Sequence, residues 1–238
     1  MLGGRLLVAF RDGLFTLDLP SSVRERLCEP PYDAAVERFN DGKADAQGRF
    51  WVGSIFEPRS SASAALYRWD GAGQGLRRIA GGITVSNGLA FSPDGRRMLW
   101  SDTFSHRIFA LDIDPASGAV LQQRVWAEFA PKPTSGALQG YGGRPDGAAM
   151  DVQGNCWVAM FEGQRLLCLS PTGAVLHELP LPVRCATMPC LGGPDLCTLF
   201  VTTAREKRPA EELALQPWAG QVLMARVPVP GLPVNFVR

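Results

Sequence analysis

Short apolar runs alternate with polar turns along most of the chain, and three stretches repeat the same pattern. They are "NDGKADAQGRFWVGS" from Asn40, "SNGLAFSPDGRRMLWSD" from Ser86 and "PDGAAMDVQGNCWVAM" from Pro145. Each opens on an Asn or Asp beside a Gly. A short apolar strand follows, then a D-x-x-G or P-D-G turn, then a second apolar strand. Gly in such turns supplies the positive φ that other residues resist, so each stretch predicts a β-hairpin. A fourth, weaker copy is "PVRCATMPCLGGPDLCTLFVTTAR" from Pro182.

Each of the first three copies continues into another strand pair: "ALYRWDGAG", "RIFALDIDPASG" and "RLLCLSPTGAVLHELP". The unit is thus four short strands in roughly 45–60 residues, the size of a propeller blade. No segment keeps a helical period over a useful length; only "PAEELALQP" from Pro209 predicts a helical turn or two. Four blades account for the chain from about Arg38 onward. The opening "GGRLLVAFRDGLFTLDL" reads as the outer half of another blade, whose inner strand is expected upstream of Met1. The expectation is an all-β propeller, a single domain over residues 1–238, of about four and a half blades.

With 238 residues, 46% of them hydrophobic, the chain has the material for a large folded core. A formal net charge of +1, with acids and bases interspersed, argues against nucleic acid or an anionic membrane surface as a partner. "LLVAF" is too short for a signal segment or a membrane span. The six cysteines show neither C-x-x-C pairs nor disulfide spacing, and most lie in apolar runs. They read as reduced, structural thiols, which fits a cytoplasmic protein.

In a propeller the innermost strands face the central channel, and the residues just ahead of them gather at one mouth. Asn40, Asn87 and Asp146 hold that position in three blades. Taken singly, Asn-Gly and Asp-Gly are turn formers; as three aligned copies they point to a site. One carboxylate with amide oxygens suits a hard divalent cation such as calcium, magnesium or manganese. His106 and His177 are the only histidines and have no ligand spacing between them, which disfavours histidine–zinc chemistry. His106 reads as a loop or channel-wall residue, and Asp41 as a turn residue. Asp102 of "WSDT" reads equally as channel wall or strand end. There is no G-x-S-x-G, P-loop or dinucleotide fingerprint.

"RFNDGKADAQGRFWVGS", "SNGLAFSPDGRRMLWSD", "RPDGAAMDVQGNCWVAM" and "GGPDLCTLFVTTAR" closely resemble the SMP-30/regucalcin/gluconolactonase family, and "QPWAGQVLMARVPVPGLPVNF" looks like its C-terminal ending. The resemblance implies a six-bladed propeller with one divalent cation at the channel mouth (calcium, zinc, manganese or magnesium). It also implies hydrolysis of a small-molecule sugar lactone, gluconolactone or a pentonolactone, to the aldonic acid. By the same resemblance Asn87 and Asp146 hold the metal, and Asp146 is also the catalytic base. Arg38 and Asn40 bind substrate hydroxyls, with Glu57 as a further substrate contact. The family's third metal ligand is a Glu in a first-blade "GE-x-P" type motif, which does not occur here. Two expectations follow. One is a lactonase whose chain is shortened at its start; the other is a propeller that binds metal weakly and serves as an interaction module.

Overall fold

The computed structural model describes residues 4–71, 73–134, 138 and 140–238. Five antiparallel sheets make up a β-propeller. The first blade is β1 (Leu6–Phe10), β2 (Gly13–Leu17) and β3 (Arg24–Cys28). The second is β4 (Glu37–Ala44), β5 (Phe50–Phe56), β6 (Ala64–Trp69) and β7 (Arg77–Ile83). The third is β8 (Ser86–Phe91), β9 (Arg97–Asp102), β10 (Arg107–Ile113) and β11 (Val120–Glu128). The fourth is β12 (Arg144–Met150), β13 (Cys156–Phe161), β14 (Arg165–Leu169) and β15 (Val175–Pro180). The fifth is β16 (Ala186–Gly192), β17 (Thr198–Thr203) and β18 (Val222–Arg226), with helix α1 (Ala210–Leu215) between its last two strands. The first strands of successive blades lie side by side in the order β1, β4, β8, β12, β16.

Five blades replace the four and a half read from the sequence. The difference at the start is β3. Its Arg24, Glu25 and Arg26 are exposed, so "RERLC" carries no apolar alternation to announce a strand. What holds it is pairing to β2 and the stacking of Arg24 and Arg26 over the Phe15 ring, at 5.0 and 5.2 Å. At the other end, the fourth repeat supplies three strands rather than four.

Four apolar layers fill the spaces between neighbouring blades. The second and third blades enclose Trp51, Leu66, Ile83, Met98 and Trp100. The third and fourth enclose Leu99, Ile108, Met150, Val158 and Leu167. The hairpin turns follow the sequence rule. In Asp45-Ala46-Gln47-Gly48, Asp45 accepts the Gln47 and Arg49 amides, each at 3.0 Å, and Gly48 takes φ 87°. Asp151 repeats the arrangement with the Gln153 and Asn155 amides, each at 2.9 Å.

After β18 the chain crosses beneath the fourth blade and ends on the second. The Leu232 amide donates to the Met150 carbonyl at 3.3 Å, and the Arg238 amide to the Gly48 carbonyl at 3.1 Å. Val237 is buried in the layer that holds Phe39 and Tyr67. Val237→Ala removes two carbons from that layer and is expected to cost about 1.6 kcal/mol. For a chain of this length, a thermal melt should read this as a midpoint about 3–6 °C lower.

The six thiols are free; Cys156, Cys168 and Cys185 are buried, Cys28 and Cys197 half-buried, and Cys190 exposed. Among the described residues no helix is long and apolar enough to cross a membrane.

Candidate functional site at the channel mouth

The Asn/Asp-Gly motifs are not turns. Each lies inside an inner strand, at a β-bulge. The register slips between Phe39 and Gly42 in β4, between Asn87 and Ala90 in β8, and between Pro145 and Ala148 in β12. A bulge leaves extra residues unpaired and re-aims their side chains. Three bulges at the same level of three adjacent strands line one cavity of about 460 Å³. Its polar lining includes Arg38, Asn40, Asp41, Arg59, Asn87, Thr103, Arg144 and Asp146, and Phe104 and Phe161 are part of its apolar lining.

A hydrogen-bond chain runs across the blades. Asn40 Nδ2 donates to the Ser86 carbonyl at 2.7 Å and to Asn87 Oδ1 at 2.6 Å. Asn87 Nδ2 donates to Thr103 Oγ1 at 2.8 Å. The Thr103 hydroxyl donates to the Pro145 carbonyl at 2.7 Å, beside Asp146. Asp41 makes a second tie, its carboxylate accepting the Leu89 amide at 3.0 Å. The amide oxygen of Asn87 and the carboxylates of Asp41 and Asp146 thereby face one space.

Asp146 differs from the other acids of the mouth. Like Asp41 it makes no ion pair among the described residues, but burial, reinforced by the neighbouring Asp41 charge and only partly opposed by Arg144 and the Gly147 amide, pushes its pKa up to about 8. Burial also raises Asp41, against the lowering pull of its backbone hydrogen bonds. Two carboxylates, neither of them in an ion pair among the described residues, and an amide oxygen form a donor set that fits a hard divalent cation. No three His, Cys, Asp or Glu side chains cluster as a metal site among the described residues, so such a cation would depend on the amide oxygen.

Arg38, Asn40, Asn87 and Asp146 thus meet in one cavity. Glu57 is not part of its lining. Its carboxylate takes two hydrogen bonds from Arg11 at 2.9 Å and one from Arg38 Nε at 3.2 Å. Arg38 in turn donates to Asn40 Oδ1 at 3.1 Å. Asp102 is buried and accepts the Thr84, Val85 and Phe104 amides, so it shapes the loops flanking β8 and β9. His106 lies outside the cavity lining, bonded to the Phe104 carbonyl and the Tyr141 hydroxyl.

Three lining residues are missed or misassigned by sequence pattern alone. Asp41 is a strand residue that faces the channel, because the bulge turns both Asn40 and Asp41 inward. Arg144 stands two positions before Asp146, as Arg38 stands two before Asn40; that shared offset was the available signal. Arg144 stacks on Phe161 at 5.3 Å and pairs with the buried Glu162 at 3.2 Å. Thr103 had no local signal, since its role is the bond it makes to another blade.

The SMP-30/Gluconolactonase/LRE-like region matches residues 1–205. The chain belongs to this family. A 6-deoxy-6-sulfogluconolactonase of Pseudomonas putida is 45% identical over 228 residues, covering 96% of this chain and 75% of that protein. Human regucalcin is 33% identical over 197 residues, 80% of this chain and 62% of regucalcin. Among solved structures, a calcium-binding protein, regucalcin, from Agrobacterium tumefaciens superposes with a TM-score of 0.89 at 24% identity, covering all of this chain and 77% of that one. That last likeness bears on the fold, and it agrees with the propeller. In this SMP-30/gluconolactonase-type chain the matched region takes in all three bulged strands and hence the whole polar lining named above.

Proposed function

We propose that this protein hydrolyses sugar lactones to aldonic acids with the help of one divalent cation. The observation that carries the reading is the convergence, in one cavity, of an unpaired carboxylate at Asp146 with Asn87, Asn40 and Arg38. Membership of the family and the lactonase among its relatives support it. Asn87 and Asp146 would hold the cation, with Asp41 beside them. When bound, it supplies Lewis-acid polarisation of the lactone carbonyl.

The chain's own residues account for the rest. Arg38 and Asn40 hold ring hydroxyls, and Glu57 keeps Arg38 turned towards Asn40, so the ring is positioned before reaction. In its ionised form Asp146 accepts a proton from the attacking water as it adds to the carbonyl carbon, and returns it to the ring oxygen as the ester bond breaks. Phe104 and Phe161 supply apolar wall to the cavity. The free thiols suit a reducing, cytoplasmic setting. No observation favours a non-catalytic propeller over this reading.

The test is hydrolysis of a lactone panel that includes gluconolactone, a pentonolactone and 6-deoxy-6-sulfogluconolactone, before and after chelation. Chelation should suppress turnover, and calcium, zinc, manganese or magnesium should restore it. Protons compete with a cation for Asp146, so the cation concentration giving half activity should fall as pH rises towards 8. Undiminished turnover after exhaustive dialysis against chelator removes the metal from the proposal. Failure on every lactone removes the activity.

A further inference from the structure

Three arginines, Arg38, Arg59 and Arg144, line the cavity beside the two aspartates, in a chain whose formal net charge is only +1. Two of the three are already engaged. Arg38 shares Glu57 with Arg11, and Arg144 shares Glu162 with Lys132 and Arg208. Each of those carboxylates therefore faces more cations than it can neutralise. Arg59 is different: among the described residues no carboxylate lies within ion-pair range and no group accepts a hydrogen bond from its guanidinium.

The backbone at Arg59 is also held in an unusual state. Residues 56–59 form a turn closed by the Arg59 amide on the Phe56 carbonyl at 3.1 Å, and Arg59 takes φ 54°. That left-handed conformation is strained for a non-glycine residue, and Gly or Asn would relieve it. The turn is anchored from two sides, with the Phe56 amide on the Thr84 carbonyl at 3.2 Å and the Glu57 amide on the Val36 carbonyl at 2.9 Å. An exposed, unpaired guanidinium on a strained but anchored turn, beside a cavity, is placed to meet an anion.

We infer that Arg59 selects a lactone that carries a tetrahedral oxyanion, a sulfonate or a phosphate, on its terminal carbon. Asn40, Asn87 and Asp146 stand on the inner strands, while Arg59 stands on the loop after β5. A substrate with its carbonyl at the inner strands presents its far end to that loop. A guanidinium offers such a group two parallel N–H donors and a full charge. The surplus charge of Arg38 and Arg144 adds attraction without requiring either to leave its partner.

This inference rests on the lactonase reading, and its test separates the two. The ratio of kcat/KM on 6-deoxy-6-sulfogluconolactone or 6-phosphogluconolactone to that on gluconolactone is measured for the wild-type chain, Arg59→Gln and Arg59→Lys, each checked for an unchanged melting temperature. The wild-type ratio should exceed one on at least one anionic lactone and fall as salt is added. Arg59→Gln should lower it by roughly tenfold or more, as loss of a charge-assisted hydrogen bond predicts. Arg59→Lys should restore part of it. The lactone that shows the larger drop identifies the oxyanion. A ratio untouched by Arg59→Gln, or a parallel loss on charged and neutral lactones, overturns the assignment. If no lactone is turned over, the lactonase reading has failed, and calorimetric binding of methyl 6-deoxy-6-sulfoglucoside against methyl glucoside still decides the role of Arg59. Tighter binding of the sulfonate, lost in Arg59→Gln, supports it; equal binding overturns it.

Discussion

Asp146→Asn should lower kcat on the lactone substrate by about 10²-fold or more while making the chelator-treated protein more stable. The catalytic loss is that expected when a general base is removed. The gain in stability has a separate cause. Burial raises the Asp146 pKa in the folded chain from the usual 3.8 to about 8. The folded state therefore holds this proton more tightly than the unfolded chain does. Stability contributed by the neutral carboxyl is complete below about pH 4 and is lost progressively as pH rises to about 8. The amide never ionises, so it escapes that loss. The variant's advantage should be absent near pH 4 and largest at pH 8, where at least about 1 kcal/mol, or 2–4 °C in melting temperature, is expected. Added cation should reverse the order by stabilising the wild-type chain alone. A variant that melts below wild type at pH 8 without metal would show that Asp146 is held by a partner rather than left unpaired. Near-normal turnover would remove it from the catalytic role.

The second large effect is expected at Gly88, which contacts no substrate in the proposed scheme. Gly88 sits in the β8 bulge with φ 60°. A Cβ there would meet Ser101 Oγ at 2.5 Å and the Asp146 backbone carbonyl at 2.7 Å. The first neighbour is a small side chain that can turn; the second is the backbone of the next blade, which cannot move alone. Gly88→Ala thus combines a left-handed backbone penalty with pressure on β12, and about 2–4 kcal/mol of destabilisation is expected. Because the pressure falls on the Asp146 backbone, cation affinity should drop as well. The control is Gly95→Ala. Gly95 also has positive φ, 68°, but a Cβ there would meet no atom within 4 Å, so it carries the backbone penalty without the contact. Equal cation affinity in the two variants would refute the coupling between Gly88 and the site.

Much of this protein is local and could be read from the chain. Alternation of apolar residues and the D-x-x-G turns are set by neighbours a few positions apart, so the hairpins of the second, third and fourth blades were legible, as was the convergence of Asn40, Asn87 and Asp146, which line one cavity; Arg38 came from the family resemblance. The helical turns at Ala210–Leu215 fell where "PAEELALQP" placed them. The polar outer strand β3 was not legible, because its stability comes from pairing and cation–π contact rather than from its own pattern. The bulges were not legible either. A register shift is a property of two paired strands, and the same Asn-Asp-Gly reads as a turn until its partner is known. That is why Asp41 passed for a turn residue. Thr103, Arg144 and Arg59 gained their meaning only from the blades and turns that bring them to the cavity. Sequence spacing thus determined which residues recur at the same place in each blade. Tertiary structure decided which of them face the channel and which, like Glu57, stand behind it, because that choice depends on charges and strands far away along the chain.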